Sequence, residues 1–128
     1  GLMAGARRGV IVNIGSSSAL SARPGQVNYG TAKSALLGFS RTLARELAGK
    51  GVRVLVVAPG FTATPMTEAL PQEVVRETLA RIPLRRWGTP LEIARAVAFF
   101  ASDAGRCYSG QTIVIDGGRT AYEQEFGF

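Results

Sequence analysis

A tyrosine and a lysine one helical turn apart are the residues of this sequence best suited to acid–base chemistry. Tyr29 and Lys33 fall four residues apart within a helical pattern, so their side chains lie on one helix face. A free phenol has a pKa of about 10 and exchanges protons poorly at neutral pH, but a nearby ammonium group favours the phenolate. Such a pair could protonate a developing alkoxide or deprotonate an alcohol. The same spacing also arises by chance on exposed helices, so the pair alone identifies no site.

A hydroxyl-rich segment precedes this pair. Ser16 follows an apolar run that ends in Gly15 and lies 13 residues before Tyr29. A hydroxyl there could hydrogen-bond a reacting oxygen and hold it beside the phenol. We expect the neighbouring Ser17 and Ser18 to form the turn. Any hydride must come from a cofactor, because side chains cannot supply one.

The absence of histidine excludes several other chemistries. Ser-His-Asp and Cys-His catalysis need an imidazole, and so do the commonest metal sites. The single cysteine, Cys107, excludes thiolate zinc sites and an internal disulfide, and we expect it to be structural. One cysteine fits a reducing cytoplasm, where we expect the protein to act. No metal site is expected.

Charge and hydropathy limit the partners further. The formal net charge is +6, but the arginines are scattered and are not interleaved with aromatic residues. Nucleic acid is therefore not an expected partner, since single-stranded recognition combines basic grooves with stacking aromatics. No apolar run approaches the roughly 18 residues that would span a bilayer, so no membrane association is expected.

The elements that must position these residues alternate between strand and helix patterns, which predicts an α/β fold with parallel strands. The predicted strands cover residues 8–15, 52–58 and 112–116, and the predicted helices cover residues 28–48, 71–82 and 90–102. We expect Asn28 to cap the first of these helices. Open parallel sheets bind ligands at the carboxyl ends of their strands. Ser16 and the Pro59-Gly60 pair follow two such ends.

Three parallel strands make an incomplete sheet. Such sheets are normally buried on both faces, and the predicted helices are too few to cover both faces and both edges. The sequence also begins with glycine instead of methionine. We expect residues 1–128 to be the carboxyl-terminal portion of one domain, or a chain completed by a partner.

Four motifs occur in an order typical of a known family. They are Asn13-Ile14-Gly15-Ser16, Tyr29-x-x-x-Lys33, Pro59-Gly60, and Gly110-Gln111 followed by Asp116-Gly117-Gly118. From about residue 9 to residue 118 the sequence resembles the second half of the short-chain dehydrogenase/reductase family. Within that family it is most similar to the 3-oxoacyl carrier-protein reductases.

The resemblance implies a doubly wound, Rossmann-like parallel sheet and a role for each matched residue. Ser16 would orient a substrate carbonyl, Tyr29 would be the general acid/base, and Lys33 would promote ionisation of the phenol and hold the nicotinamide ribose. The residues implied to line the nicotinamide side are Pro59, Gly60, Thr62 and Thr64. Residues 67–81 would form a segment covering the substrate. Met66, Leu70 and Val74 would then contact substrate, or would only pack.

The implied reaction is hydride transfer between NAD(P)H and a ketone or secondary alcohol, in particular a 3-oxoacyl thioester, with NADPH slightly favoured over NADH. The family's Gly-rich dinucleotide loop, its Asn-Ala-Gly strand end and its helix Asn would all precede Gly1. The amino-terminal half that binds the dinucleotide is thus expected to be absent. The alternative is a truncated chain without activity that keeps only its packing surfaces.

Two kinds of protein partner are expected, the first from the same resemblance and the second from the positions of the basic residues. The helix over residues 28–48 would form half of an interface in a homodimer or homotetramer. The starts of two strands expected to be neighbours carry four cations that would form a basic cluster suited to an acidic acyl carrier protein: Arg7, Arg8, Lys50 and Arg53. The other interpretation is that these are ordinary solvated charges.

Overall fold

The computed structural model describes residues 1–21 and 23–121, which form a three-stranded parallel sheet with helices packed against it. The strands are β1 (Gly9–Ile14), β2 (Val52–Pro59) and β3 (Thr112–Ile115), and they lie in the order β1-β2-β3. The helices are α1 (Leu2–Ala6), α2 (Val27–Ala48), α3 (Pro65–Glu68), α4 (Gln72–Ala80) and α5 (Pro90–Ala101). The predicted α/β class and parallel pairing are confirmed.

The middle strand, β2, carries the core. Its residues 54–58 are 0% exposed, because neighbouring strands cover both edges and helices lie on both faces. Val12 of β1 packs in the cluster that includes Phe100 of α5, whereas the side chain of the next residue, Asn13, donates to Ser40 of α2. Adjacent strand residues point to opposite faces, so α5 and α2 cover opposite faces of the sheet.

The start of α2 differs from the prediction. Asn28 does not cap this helix, which begins one residue earlier at Val27 and has Gln26 at its cap position without a side-chain cap bond. The chain enters the helix directly from the turn at Pro24-Gly25, since the Gln26 amide donates to the Arg23 carbonyl at 3.2 Å. Asn28 therefore lies inside the first turn.

Two short helices are absent from the prediction. α1 has five residues, and α3 has four residues between β2 and α4. Thr64 and Thr67 form a capping box around Pro65 at the start of α3. Within residues 1–21 and 23–121, no helix has the length and apolar character that crossing a bilayer requires.

Candidate functional site

Glycine at the end of β1 brings the first candidate residue to the sheet edge. The Gly15 amide donates to the Val57 carbonyl at 2.8 Å, which keeps the backbone against β2. A Cβ on Gly15 would lie 2.7 Å from the Val56 Cγ1 atom, so a larger residue would push β1 and β2 apart. Ser16 thus leaves the sheet directly beside the carboxyl end of β2.

The hydroxyl of Ser16 is held in place by its own turn. Its Oγ accepts a hydrogen bond from the Ser18 amide at 3.1 Å, and its carbonyl accepts from the Ala19 amide at 3.0 Å. Ser16 is 8% exposed. The next residues form a single 3-10 turn, Ser17–Ala19, as expected for the serines that follow Ser16. The Ser16 hydroxyl retains donor capacity for a ligand oxygen.

Tyr29 and Lys33 lie one turn apart on α2, facing the end of β1. The Lys33 Nζ atom donates to the Ile14 carbonyl at 2.9 Å and lies 5.8 Å from the centre of the Tyr29 ring. The Tyr29 side chain is partly open to solvent, with an exposed fraction of 47%. The Ile14 carbonyl therefore fixes the ammonium between the strand end and the phenol ring.

Ser16 and Tyr29 border one cleft of about 430 Å³ at the carboxyl ends of β1 and β2. Its lining residues are Ser16, Ser17, Ser18, Arg23, Gln26, Tyr29, Gly60, Phe61, Thr62, Thr64, Met66, Thr67 and Arg119. Six residues expected from the sequence thus meet there, including Met66. Among the described residues, Lys33 and Pro59 lie outside this lining, and so do Leu70 and Val74.

The end of β2 leads into another part of the cleft lining, which begins at Gly60. Pro59 is the last residue of β2 and lies opposite Ile115 in the ladder with β3, and the Gly60 amide donates to the Ile115 carbonyl at 2.8 Å. A Cβ on Gly60 would lie 2.6 Å from the Asp116 Cβ atom and 2.8 Å from its Cα atom. Glycine lets the two strand ends approach, and the chain then turns into the cleft wall.

The threonines of this wall bind one another. The Thr67 hydroxyl donates to the Thr62 carbonyl at 2.8 Å, and the Thr64 and Thr67 hydroxyl oxygens are 3.2 Å apart. The Thr62 hydroxyl donates to the Gly60 carbonyl at 3.4 Å. The Thr64 hydroxyl also caps α3, and in this way it helps to fix the backbone of the cleft wall.

An ion pair outside the cleft supports the same wall. Arg86 donates two hydrogen bonds to Glu92, at 2.7 and 2.9 Å, and these bonds are the main cause that lowers the pKa of Glu92 to about 2. Bonds from the Thr89 amide and hydroxyl add to the effect. The segment they fix contains Gly88, which pairs with Thr62 of the cleft wall.

Two cationic residues of the cleft were not predicted as site residues. The Arg119 side chain is buried, with 3% of the residue exposed, and donates to the Ser21 hydroxyl at 3.0 Å. The Arg23 guanidinium lies 4.7 Å from the centre of the Phe61 ring, which stacks on Trp87. One sequence signal could have indicated Arg119 as a site residue. It directly follows Asp-Gly-Gly, a turn next to the end of a strand.

The expected basic cluster is only partly available to a partner. Arg53 donates to four backbone carbonyl oxygens in the last turn of α5 and the segment after it, those of Phe100, Ser102, Gly105 and Tyr108, at 2.8 to 3.4 Å. The Arg53 guanidinium holds this connection in place, and its expected part in carrier docking stays a prediction. Arg7 donates to the Gly49 carbonyl, and Arg8 lies 3.8 Å from Asp103 with both side chains exposed.

The chain is similar to known proteins over most of its length. Residues 2–120 match the family described as enoyl-(acyl carrier protein) reductase. The chain is 48% identical over 112 residues to the 3-oxoacyl-(acyl-carrier-protein) reductase of Thermotoga maritima, and 45% identical over 113 residues to that of Chlamydia trachomatis. Each alignment covers 88% of this chain and 46% of the relative, so the chain spans about half the length of these relatives.

Solved structures agree with the sequence comparison. The 3-oxoacyl-(acyl-carrier-protein) reductase of Brucella melitensis superposes with a TM-score of 0.88 at 38% identity, covering 91% of this chain and 44% of that one. An oxidoreductase of the short-chain dehydrogenase/reductase family from Burkholderia thailandensis gives a TM-score of 0.87 at 35% identity, covering 98% and 51%. The parallel sheet, the match over residues 2–120 and these likenesses show that the chain belongs to the short-chain dehydrogenase/reductase family.

Proposed function

We propose that this chain supplies the catalytic residues of an NAD(P)H-dependent reductase that converts a ketone, in particular a 3-oxoacyl thioester, into a secondary alcohol. The observation that carries the proposal is the shared cleft of Ser16 and Tyr29, with the Lys33 ammonium 5.8 Å from the phenol ring. The relatives named as 3-oxoacyl-(acyl-carrier-protein) reductases support the choice of substrate.

In this proposal the chain's residues hold the carbonyl and supply its proton. The Ser16 hydroxyl donates to the substrate oxygen and keeps it near the phenol. A nicotinamide cofactor supplies the hydride to the carbonyl carbon when bound. As that carbon is reduced, the Tyr29 hydroxyl gives its proton to the oxygen, and the Lys33 ammonium stabilises the phenolate left behind. Tyr29 then recovers a proton from solvent. In the reverse direction it removes the proton of the alcohol.

The described residues fit the nicotinamide end of the cofactor. Ser16 and Tyr29 form one side of the cleft, and Gly60, Thr62 and Thr64 border the same space. These residues would hold the ring, with Lys33 toward the ribose. Phosphates of such cofactors are usually cradled by a G-x-G-x-x-G loop at a helix start, a pattern this sequence does not contain. We therefore infer that tight dinucleotide binding needs residues outside this sequence, and NADPH stays a preference from family resemblance.

The direct test follows NADPH absorbance with a 3-oxoacyl thioester. The chain is assayed alone and after joining to the amino-terminal half of the Thermotoga maritima relative, here called the joined protein. We expect NADPH loss by the joined protein, and none by the same protein carrying Ser16→Ala and Tyr29→Phe. An enoyl thioester is the competing substrate, since the family description names that reaction. Turnover of the enoyl thioester alone would overturn the choice of a ketone.

A second candidate function is association without catalysis. Val27 and Phe39 of α2 are 78% and 55% exposed, so the helix leaves large apolar side chains uncovered in the chain alone. We propose that two copies associate through α2, as the family resemblance implies. Sedimentation of the chain with and without Phe39→Glu tests this. A non-catalytic role gains support if the joined protein shows no turnover while the chain still dimerises.

Arg7 and Lys50, the proposed docking residues for an acyl carrier protein, lie at the end of the sheet opposite the cleft. β1 has six residues and is about 20 Å long at the usual rise per strand residue. Antiparallel pairing of two α2 helices would bring the Arg7 end of one copy near the cleft of the other. Arg7→Glu with Lys50→Glu should then raise KM for a carrier-bound substrate only. An equal rise for a small free ketone would refute carrier docking.

A further inference from the structure

The Asp-Gly-Gly turn after β3 directs a buried arginine toward the loop that carries Ser16. Asp116 accepts from the Gly118 amide through Oδ1 at 3.0 Å and from the Thr120 amide through Oδ2 at 2.9 Å. Gly117 and Gly118 have φ angles of 69° and 87°, a conformation that glycine adopts without strain. This turn reverses the chain at the sheet edge and fixes the direction of Arg119.

The guanidinium of Arg119 then spans the serine loop. Its two terminal nitrogens donate to the Ser17 hydroxyl at 3.5 Å and to the Ser21 hydroxyl at 3.0 Å. Only 3% of Arg119 is exposed, and the residue also borders the cleft. Ser17 directly follows Ser16 and is itself 3% exposed. The two ends of the loop are thereby tied to a single planar group.

We propose that Arg119 is a positioning residue that acts through Ser16. The Ser16 hydroxyl is oriented by the Ser18 amide, so its direction depends on the turn formed by residues 17–21. A charge-assisted bond from a planar guanidinium restrains that turn more than a neutral contact does. Arg119 therefore holds the Ser16 hydroxyl in the geometry that a reacting carbonyl requires. This inference rests on the proposed ketone reduction.

Hydrogen exchange of the chain tests the structural step without any activity. In Arg119→Gln, the amides of Ala19, Leu20 and Ser21 should exchange about 10-fold faster, because one tie of their turn is lost. The Val56 amide, bonded to the Gln111 carbonyl in the sheet, should change less than about twofold. Unchanged loop amides, or equal acceleration in loop and sheet, would overturn the proposal.

Two further variants keep this test interpretable. Ser21→Ala removes one acceptor and leaves the arginine in place, so it should accelerate the same loop amides to a smaller extent. Arg119→Lys keeps the charge but loses the planar pair of donors, and should fall between the wild type and Arg119→Gln. If Arg119→Gln does not fold, Ser21→Ala decides the matter, and normal exchange in it would refute the tie.

Kinetics of the joined protein test the link to Ser16. Arg119→Gln should lower kcat about 10-fold with little change in KM, because it displaces a group that acts in the transition state. Combined with Ser16→Ala, it should add almost nothing, whereas a residue with only a structural role would add its full effect. Additive effects would overturn the proposal. If the wild-type joined protein shows no turnover, the proposed reaction fails, and the exchange experiment still decides the role of Arg119.

Discussion

Arg53 offers a sharp test of how the connection between α5 and β3 is held. Its half-buried guanidinium donates to four backbone carbonyls, those of Phe100, Ser102, Gly105 and Tyr108. Hydrogen bonds from charged groups contribute about 1.5–3 kcal/mol each, but partial exposure reduces their sum. We expect Arg53→Ala to lower the free energy of unfolding by about 2–4 kcal/mol, because it leaves partly buried carbonyls without this donor.

The assay is urea unfolding of the chain, followed by far-UV circular dichroism. Arg8 gives the control. It directly precedes β1, as Arg53 lies near the start of the neighbouring β2, but its side chain is 85% exposed and lies 3.8 Å from Asp103. Arg8→Ala should change the free energy of unfolding by less than about 0.5 kcal/mol, as exposed ion pairs contribute little. Equal effects of the two substitutions would refute the structural role assigned to Arg53.

Two further predictions concern an ion pair and the core. The pKa of Glu92 is depressed from 4.5 to about 2 in the folded chain, so its stabilising contribution is present above the unfolded pKa and is lost as pH falls through about 2. Glu92→Gln should lower the urea concentration at the unfolding midpoint at neutral pH. The difference from the wild type should vanish in urea titrations toward pH 2, and a difference that stays constant with pH would contradict this. Leu55 is 0% exposed and Leu2 is 95% exposed. In urea unfolding, Leu55→Ala should lower the free energy of unfolding by about 2–5 kcal/mol, and Leu2→Ala should leave it almost unchanged. Similar decreases for the two variants would refute the assignment of the core.

Local patterns were sufficient to predict the sheet and its main helices. The predicted strand over residues 52–58 is one residue shorter than β2. The strand extends to Pro59 because this residue still pairs with Ile115. Helices α4 and α5 lie within the predicted ranges of residues 71–82 and 90–102. The short α3 was not predicted, because its start depends on a capping box between Thr64 and Thr67 that competes with an irregular chain.

The candidate site was predictable where backbone geometry determines it. Parallel strands end at one edge, so Ser16 and Gly60 had to lie near each other, and a spacing of four placed Tyr29 and Lys33 on one face of α2. Contacts between distant segments left no such pattern. Arg119 reaches serines 98 and 102 residues earlier in the chain, and no local periodicity indicates such a pairing. The hydrogen bonds from Arg53 to backbone carbonyls could not be predicted for the same reason.

The proposed ketone reduction depends on the Tyr29 hydroxyl as the proton donor to the bound substrate. The direct measurement is the single-turnover rate of NADPH oxidation by the joined protein, comparing Tyr29→Phe with Tyr108→Phe, a tyrosine of similar exposure that packs on Phe99 and Phe100. We predict a loss of at least about 100-fold for Tyr29→Phe, within the usual range for general acid catalysis, and a near wild-type rate for Tyr108→Phe. A Tyr29→Phe protein that reduces the ketone at the wild-type rate would contradict the account.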